Sequence, residues 1–321
     1  MSSPSDDPVP TAPAPPPAAA TTTATTTATA AVIHDLGYRS YTGPRLGEPA
    51  VARAFFVTGL RNSYGLGRSG RSKVLPMILL GLMLLPALIL VGVLVQAKDL
   101  LGLDEQIVAY STYPITTQLL ISVFVASQAP ALISRDLRFR TITLYLARPM
   151  RRTTYVLVRL ASLTAATFVL VAAPLLLMYV GGLLAGLPLG RETGRVLGAL
   201  AGAVLLAACL SGLAALVSAL TIRRGLAVAA VIVVLLVSYT VVATIQGISL
   251  DSDHETVGQV AGLFSPYTLV NGVQVILFDA PEATPTPPSG AGMGVLYLAT
   301  TAVVVVGSVG AMLGRYRRVT A

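Results

Sequence analysis

Charged residues interrupt this sequence at wide intervals, and the gaps between them predict its architecture. Six uncharged spans run Val74–Ala97, Gln106–Ser134, Leu160–Gly190, Val196–Ile222, Gly225–Leu250 and Ala283–Gly314. Each exceeds the roughly 20 residues an α-helix needs to cross the hydrocarbon core of a bilayer. Trimmed to their apolar cores, they predict transmembrane helices near 75–96, 114–133, 158–184, 196–220, 226–247 and 293–313. In lipid, only helices satisfy their own backbone over such runs, whereas a membrane barrel would show alternation in much shorter segments. The expected fold class is therefore all-α, a polytopic membrane protein with six transmembrane helices.

Six crossings would put both termini on one side, and the basic residues then divide unevenly. Nineteen of the 22 Lys and Arg residues fall on the side of the termini, including Arg53, Arg61, Arg68, Arg71 and Lys73 before the first helix and Arg135, Arg138, Arg140, Arg148, Arg151, Arg152 and Arg159 between the second and third. Lys98, Arg191 and Arg195 fall opposite. By the positive-inside rule both termini are expected in the cytoplasm, in a multi-pass protein of the cell membrane. The formal charge of +8 then calls for anionic lipid as a partner and no nucleic acid.

The stretch Thr256–Phe278 is also uncharged, but Gly258, Gln259, Ser265, Pro266, Asn271, Gly272 and Gln274 interrupt it. A seventh crossing there would strand Arg315, Arg317 and Arg318 outside. The expectation is a broken, re-entrant or interfacial helical pair within an outer loop at 248–292, which carries five acids and no Lys or Arg.

Outside these spans the chain changes character. Pro, Thr and Ala supply 23 of the first 30 residues, a composition that cannot form a packed core, so residues 1–32 read as a disordered cytoplasmic tail. Residues 33–73 form a cytoplasmic segment. Within it, Phe55, Phe56 and Leu60 stand beside Arg53 and Arg61, the pattern of an amphipathic helix lying along the membrane surface with its aromatics sunk and its arginines at the headgroups. Residues 74–314 form the six-helix domain and 315–321 a basic C-terminus.

Composition agrees, with 54% hydrophobic and 11% charged residues, far fewer charges than the roughly 25% of a soluble domain. No Gly-x-x-x-x-Gly-Lys-Ser/Thr phosphate loop occurs, so the chain is expected to be neither an ATPase nor any other enzyme. The two histidines, His34 and His254, are assigned to opposite sides, and Cys209 is alone. The cores of the six spans contain no charge, which disfavours a proton-driven carrier. Gly182, Gly186, Gly190, Gly194, Gly198 and Gly202 recur every fourth residue, a spacing that suits close helix contact within one subunit or between two.

The loop after the second helix reads Ile133-Ser134-Arg135-Asp136-Leu137-Arg138-Phe139-Arg140-Thr141-Ile142-Thr143-Leu144-Tyr145-Leu146-Ala147-Arg148-Pro149. Thr141–Ala147 suits one or two helical turns presenting Leu144, Tyr145 and Leu146, closed by Pro149. Such a turn could dock a soluble partner or lie among headgroups. Here the sequence resembles the permease subunit of ABC-2 type transporters, particularly an actinobacterial group. The resemblance rests on Ile133-Ser134-Arg135-Asp136, on Leu144-Tyr145-Leu146-Ala147-Arg148-Pro149, on Ile33-His34-Asp35-Leu36-Gly37-Tyr38-Arg39 and on Ser265-Pro266-Tyr267, with Arg140 where the family has glycine.

The resemblance implies an exporter-like fold in which two permeases, as a homodimer or heterodimer, work with a separate P-loop ATPase that binds the ATP and Mg. The coupling loop would occupy 135–159. Arg135 and Asp136 would orient its helix, Thr141, Leu144 and Tyr145 would meet the ATPase, Arg148 and Pro149 would end it, and the helix around Phe55 would be the connecting helix. No cofactor is expected on this chain itself. The competing expectations are a non-transporting membrane assembly or sensor component and, after it, a secondary carrier.

Overall fold

The computed structural model describes residue 43 and residues 47–67, 70–102, 105–133, 150–221, 223–252 and 254–318. Of the compact unit Met1–Pro44 it describes only Gly43, and all that follows concerns the unit Arg45–Ala321. Among the described residues there are helices and turns but no strand.

Helix α1 spans Glu48–Ser63, with Pro49 and Glu48 in its first turn and Arg61 in its last. Proline suits the first turn, and the two charges complement the helix dipole. The chain then turns through Tyr64 and Gly65, whose φ of 67° lies in the left-handed region. A Cβ on Gly65 would stand 2.4 Å from the Ser72 carbonyl oxygen, so this corner accepts only glycine.

Helix α2 covers Gly70–Leu101, followed by the short α3 at Tyr113–Thr116 and by α4 at Gln118–Leu132. Helix α5 runs over Arg152–Leu184, α6 over Leu189–Leu220 and α7 over Arg224–Asp251. The short α8, Glu255–Ala261, leads through a 3-10 turn at Gly262–Phe264 into α9, Pro266–Phe278, and α10 closes the chain at Gly290–Arg318.

Five helices, α2, α5, α6, α7 and α10, are long and apolar enough to cross a membrane. The α8–α9 pair would add a sixth if it counted as one span, but it bends by 116° at Ser265. That bend lies within Thr256–Phe278, the stretch in which a broken, re-entrant or interfacial pair is expected. The predicted second span is shortened to α4, whose 15 residues rise only about 22 Å against a hydrocarbon core of about 30 Å. Thr116 and Thr117 explain the break before it: both hydroxyls donate to the Tyr113 carbonyl, at 2.8 and 2.9 Å. Side-chain bonds of this kind compete with the helical ladder.

Position in the bundle decides which surfaces meet lipid. The apolar stretch of α5 is 50% buried and that of α6 56%, against 22% for each of α2, α7 and α10. Helix α4 packs against α5, α6 and α7, and of its residues only Leu119 is exposed. Around this centre, Leu88, Ile89, Val233, Val237, Val303 and Val306 stand exposed. An apolar rim of this extent is stable in a bilayer and not in water. The chain is a multi-pass protein of the cell membrane.

The long helices overrun the predicted spans. Helix α5 begins at Arg152 rather than 158, α6 at Leu189 rather than 196, and α2 reaches Leu101 rather than 96. Helical hydrogen bonding continues past the apolar core, where polar side chains meet headgroups and water.

Candidate functional site

The two ends of α5 carry different chemistry. At its start, α5 is clamped to α1. The Glu48 carboxylate accepts the Thr154 hydroxyl at 2.5 Å and the Arg151 backbone N–H at 3.2 Å, and the Arg151 side chain approaches it at 3.8 Å. First the Thr154 hydroxyl, then the Arg151 N–H, holds the Glu48 carboxyl below its ordinary range. Further along, Ser162 donates to the Phe56 carbonyl at 3.2 Å and Tyr64 to the Ala166 carbonyl at 2.8 Å. A Cβ on Gly59 would lie 2.6 Å from the Ser162 Oγ, so the two helices approach as closely as a glycine allows.

Within this joint the Phe55 ring packs against Tyr155 at 5.4 Å, and the buried Arg159 guanidinium lies 4.2 Å above it. Tyr155 also meets Tyr316 of α10 at 5.9 Å. Helix α1, the start of α5 and the end of α10 therefore share one aromatic cluster. The pattern places Phe55 in lipid, whereas it packs into the bundle. Phe56 and Leu60 are half-buried, and Arg53 and Arg61 are exposed. Arg135, Asp136, Thr141, Leu144, Tyr145, Arg148 and Pro149 lie outside the described residues, which resume at Met150 beside the clamp.

Gln106, which donates to the Met178 carbonyl of α5, lines a cavity of about 450 Å³ between the 105–111 segment, the first turns of α6 and the end of α9. Arg191 and Arg195, one turn apart on α6, both reach the Glu105 carboxylate, at 3.5 and 3.4 Å. Beneath them lies Glu192, fully buried, within 3.9 and 3.5 Å of the same two arginines. Glu192 accepts the Tyr110 hydroxyl at 2.7 Å, and Gln106 donates to Tyr110 at 3.0 Å and to the Met178 carbonyl at 3.2 Å. Burial, and then the Glu192 carboxylate, pushes the Tyr110 hydroxyl well above its usual pKa.

The glycine row ends here in internal contacts. A Cβ on Gly182 would meet Gln106 at 2.3 Å, one on Gly198 would meet Phe278 at 3.1 Å, and one on Gly202 would meet Gln274 at 1.8 Å. With Gly186, where a Cβ would meet the Lys98 Nζ at 3.1 Å, four of the six glycines admit neighbouring segments of the same chain.

Sequence reasoning missed Glu48, Tyr155 and Arg159 because their partners lie about a hundred residues away. It missed Glu192 because that residue falls in a loop once spans are trimmed to uncharged cores. One signal was present: Arg191, Glu192 and Arg195 hold the only arginines assigned to the outer side. Among the described residues, no group of three or more His, Cys, Asp or Glu could hold a metal ion. No family model matches the chain, and no curated protein matches it.

Proposed function

We propose that the chain is the membrane-spanning subunit of an ATP-driven ABC-2 type exporter, paired with a second permease and powered by a separate P-loop ATPase. The observation that carries this reading is the clamp between α1 and α5, built immediately after the 135–149 segment in which the family resemblance is concentrated. A push on that segment, as the ATPase dimer closes on ATP and Mg, would pass through Met150 and Arg151 into α5 and through Glu48 into α1. Helix α5 is 33 residues long, about 50 Å at 1.5 Å per residue, and its Met178 carbonyl accepts from Gln106 in the cavity wall, so a small tilt at its start would reach that wall.

The shared cluster of Phe55, Tyr155 and Tyr316 supports common placement of α1 and the end of α10. With nineteen basic residues assigned to that side, the positive-inside rule puts this end in the cytoplasm, where an ATPase would dock.

Affinity purification of the full chain in mild detergent, with an ATPase assay on what accompanies it, tests the proposal. A stoichiometric P-loop ATPase is expected, lost on joint Leu144→Ala and Tyr145→Ala substitution. A folded chain recovered without any ATPase, or an ATPase whose recovery and activity ignore both substitutions, overturns it.

A further inference from the structure

The cavity against the first turns of α6 has the construction of an anion site held shut by the chain's own carboxylate. Arg191 and Arg195 project from consecutive turns of α6, and each side chain remains 39% exposed. From below, the fully buried Glu192 fixes both, and Tyr110, itself bonded by Gln106, fixes Glu192 in turn. The Glu192 Oε1 atom is buried without a hydrogen-bond partner, so the arginines are what compensates its charge. A buried carboxylate that aims two guanidinia at a cavity pre-organises them for a second anion.

Glu105 now fills that role, and it fills it poorly. Its carboxylate is 64% exposed, and both arginines reach the same oxygen, Oε1, at 3.5 and 3.4 Å. A planar carboxylate here offers one atom to two forks. A tetrahedral phosphate offers separate oxygens to each guanidinium, a geometry arginine recognises well. The cavity, about 450 Å³, leaves room for one. Phe278 lines its wall and Leu277 beside it is exposed, whereas Asp279 lines the same wall and opposes any anion.

We propose that Arg191 and Arg195 bind a phosphate oxyanion, carried by a lipid headgroup or free in solution, and that Glu105 is the internal competitor it displaces. Glu192 acts as a positioning residue that does not touch the ligand. The site stands whether or not the chain partners an ATPase.

The full chain in phosphatidylcholine nanodiscs tests this in two arms, one with phosphatidylglycerol added and one with inorganic phosphate. Native mass spectrometry reads retained lipid, and calorimetry reads phosphate. Because exposed ion pairs are weak, Glu105→Gln is expected to tighten binding by about threefold to tenfold. Arg191→Gln with Arg195→Gln is expected to abolish it. Both changes seen with phosphatidylglycerol and not with inorganic phosphate assign a lipid headgroup, and the reverse assigns a soluble phosphate. Binding in neither arm, or binding that Glu105→Gln leaves unchanged or weakens, overturns the proposal. Since Glu105 is exposed, that variant keeps the test decisive even if the double arginine variant does not fold.

Discussion

The guanidinium of Arg159 lies 4.2 Å from the centroid of the Phe55 ring, joining a cation on α5 to an aromatic on α1 across 104 positions of sequence. Tyr155 completes a triangle with the two, its ring 5.6 Å from the same guanidinium and 5.4 Å from the Phe55 ring. A cation over an aromatic face gains more as it leaves water, and here the arginine is buried.

Phe55→Ala removes the ring that both Arg159 and Tyr155 touch. Thermal unfolding in detergent should show a loss of about 2 kcal/mol, from packing plus the cation contact. Phe55→Leu should recover part of the packing and none of the cation contact. A change within error for Phe55→Ala would mean that α1 is not held by this cluster.

The α1 clamp should weaken in acid. Glu48 has a folded pKa below its ordinary 4.5, so its contribution is fully present above pH 4.5 and is lost as pH falls through the lower folded value. Amide exchange across Glu48–Ser63 should quicken below that range in the natural chain. In Glu48→Gln it should be fast already and insensitive to this titration.

Close approach of α1 and α5 makes Gly59→Ala costly. Its methyl would press on Ser162, whose Oγ would lie at 2.6 Å and Cβ at 2.8 Å, and overpacking of this kind costs about 1–3 kcal/mol. Adding Ser162→Gly should restore most of the loss, and a double-mutant cycle measures the coupling.

The glycine row should divide in two. Nothing lies within 4 Å of a Cβ on Gly190 or Gly194, whereas one on Gly202 would strike the Gln274 side chain. Gly194→Ala should be neutral or stabilising by up to about 1 kcal/mol. Gly202→Ala should displace Gln274 from its 3.4 Å bond to the Ala199 carbonyl and loosen α9. If Gly194→Ala instead disperses a dimer on size-exclusion chromatography, the row is an intersubunit face.

Tyr267 anchors the bent pair, its hydroxyl lying 3.0 Å from the Gln118 carbonyl and 2.7 Å from the Ser122 hydroxyl. Tyr267→Phe removes both bonds at a buried position, a loss of about 1–3 kcal/mol. Amide exchange should rise across Glu255–Phe278 more than in α5 or α6. Uniform loosening of the whole bundle would show that the anchor is not local.

Helix identity was legible because lipid excludes charge, so the gaps between arginines mark where helices run. Helix ends were not, since Arg152, Thr153 and Thr154 or Arg191, Glu192 and Arg195 are polar yet continue the backbone ladder of the helices they enter. The break at Thr117 was hidden because threonine suits an apolar run and takes over a carbonyl only in the folded turn. Pro266 accounts for the bend at Ser265, since proline cannot extend a helix from the preceding turn. Neither the α1–α5 clamp nor the Tyr110–Glu192 bond could be read from sequence, because their partners meet only after the chain has folded back on itself.

The short α4 has one further consequence. With protein on almost every side, it takes its solvent from its neighbours, and bilayer thickness has little hold on it. Helices α2, α7 and α10 face acyl chains and must tilt when the membrane thins or thickens. The lipid therefore grips the frame while the hub stays indifferent, and membrane composition becomes a means of shifting the outer helices around a fixed axle.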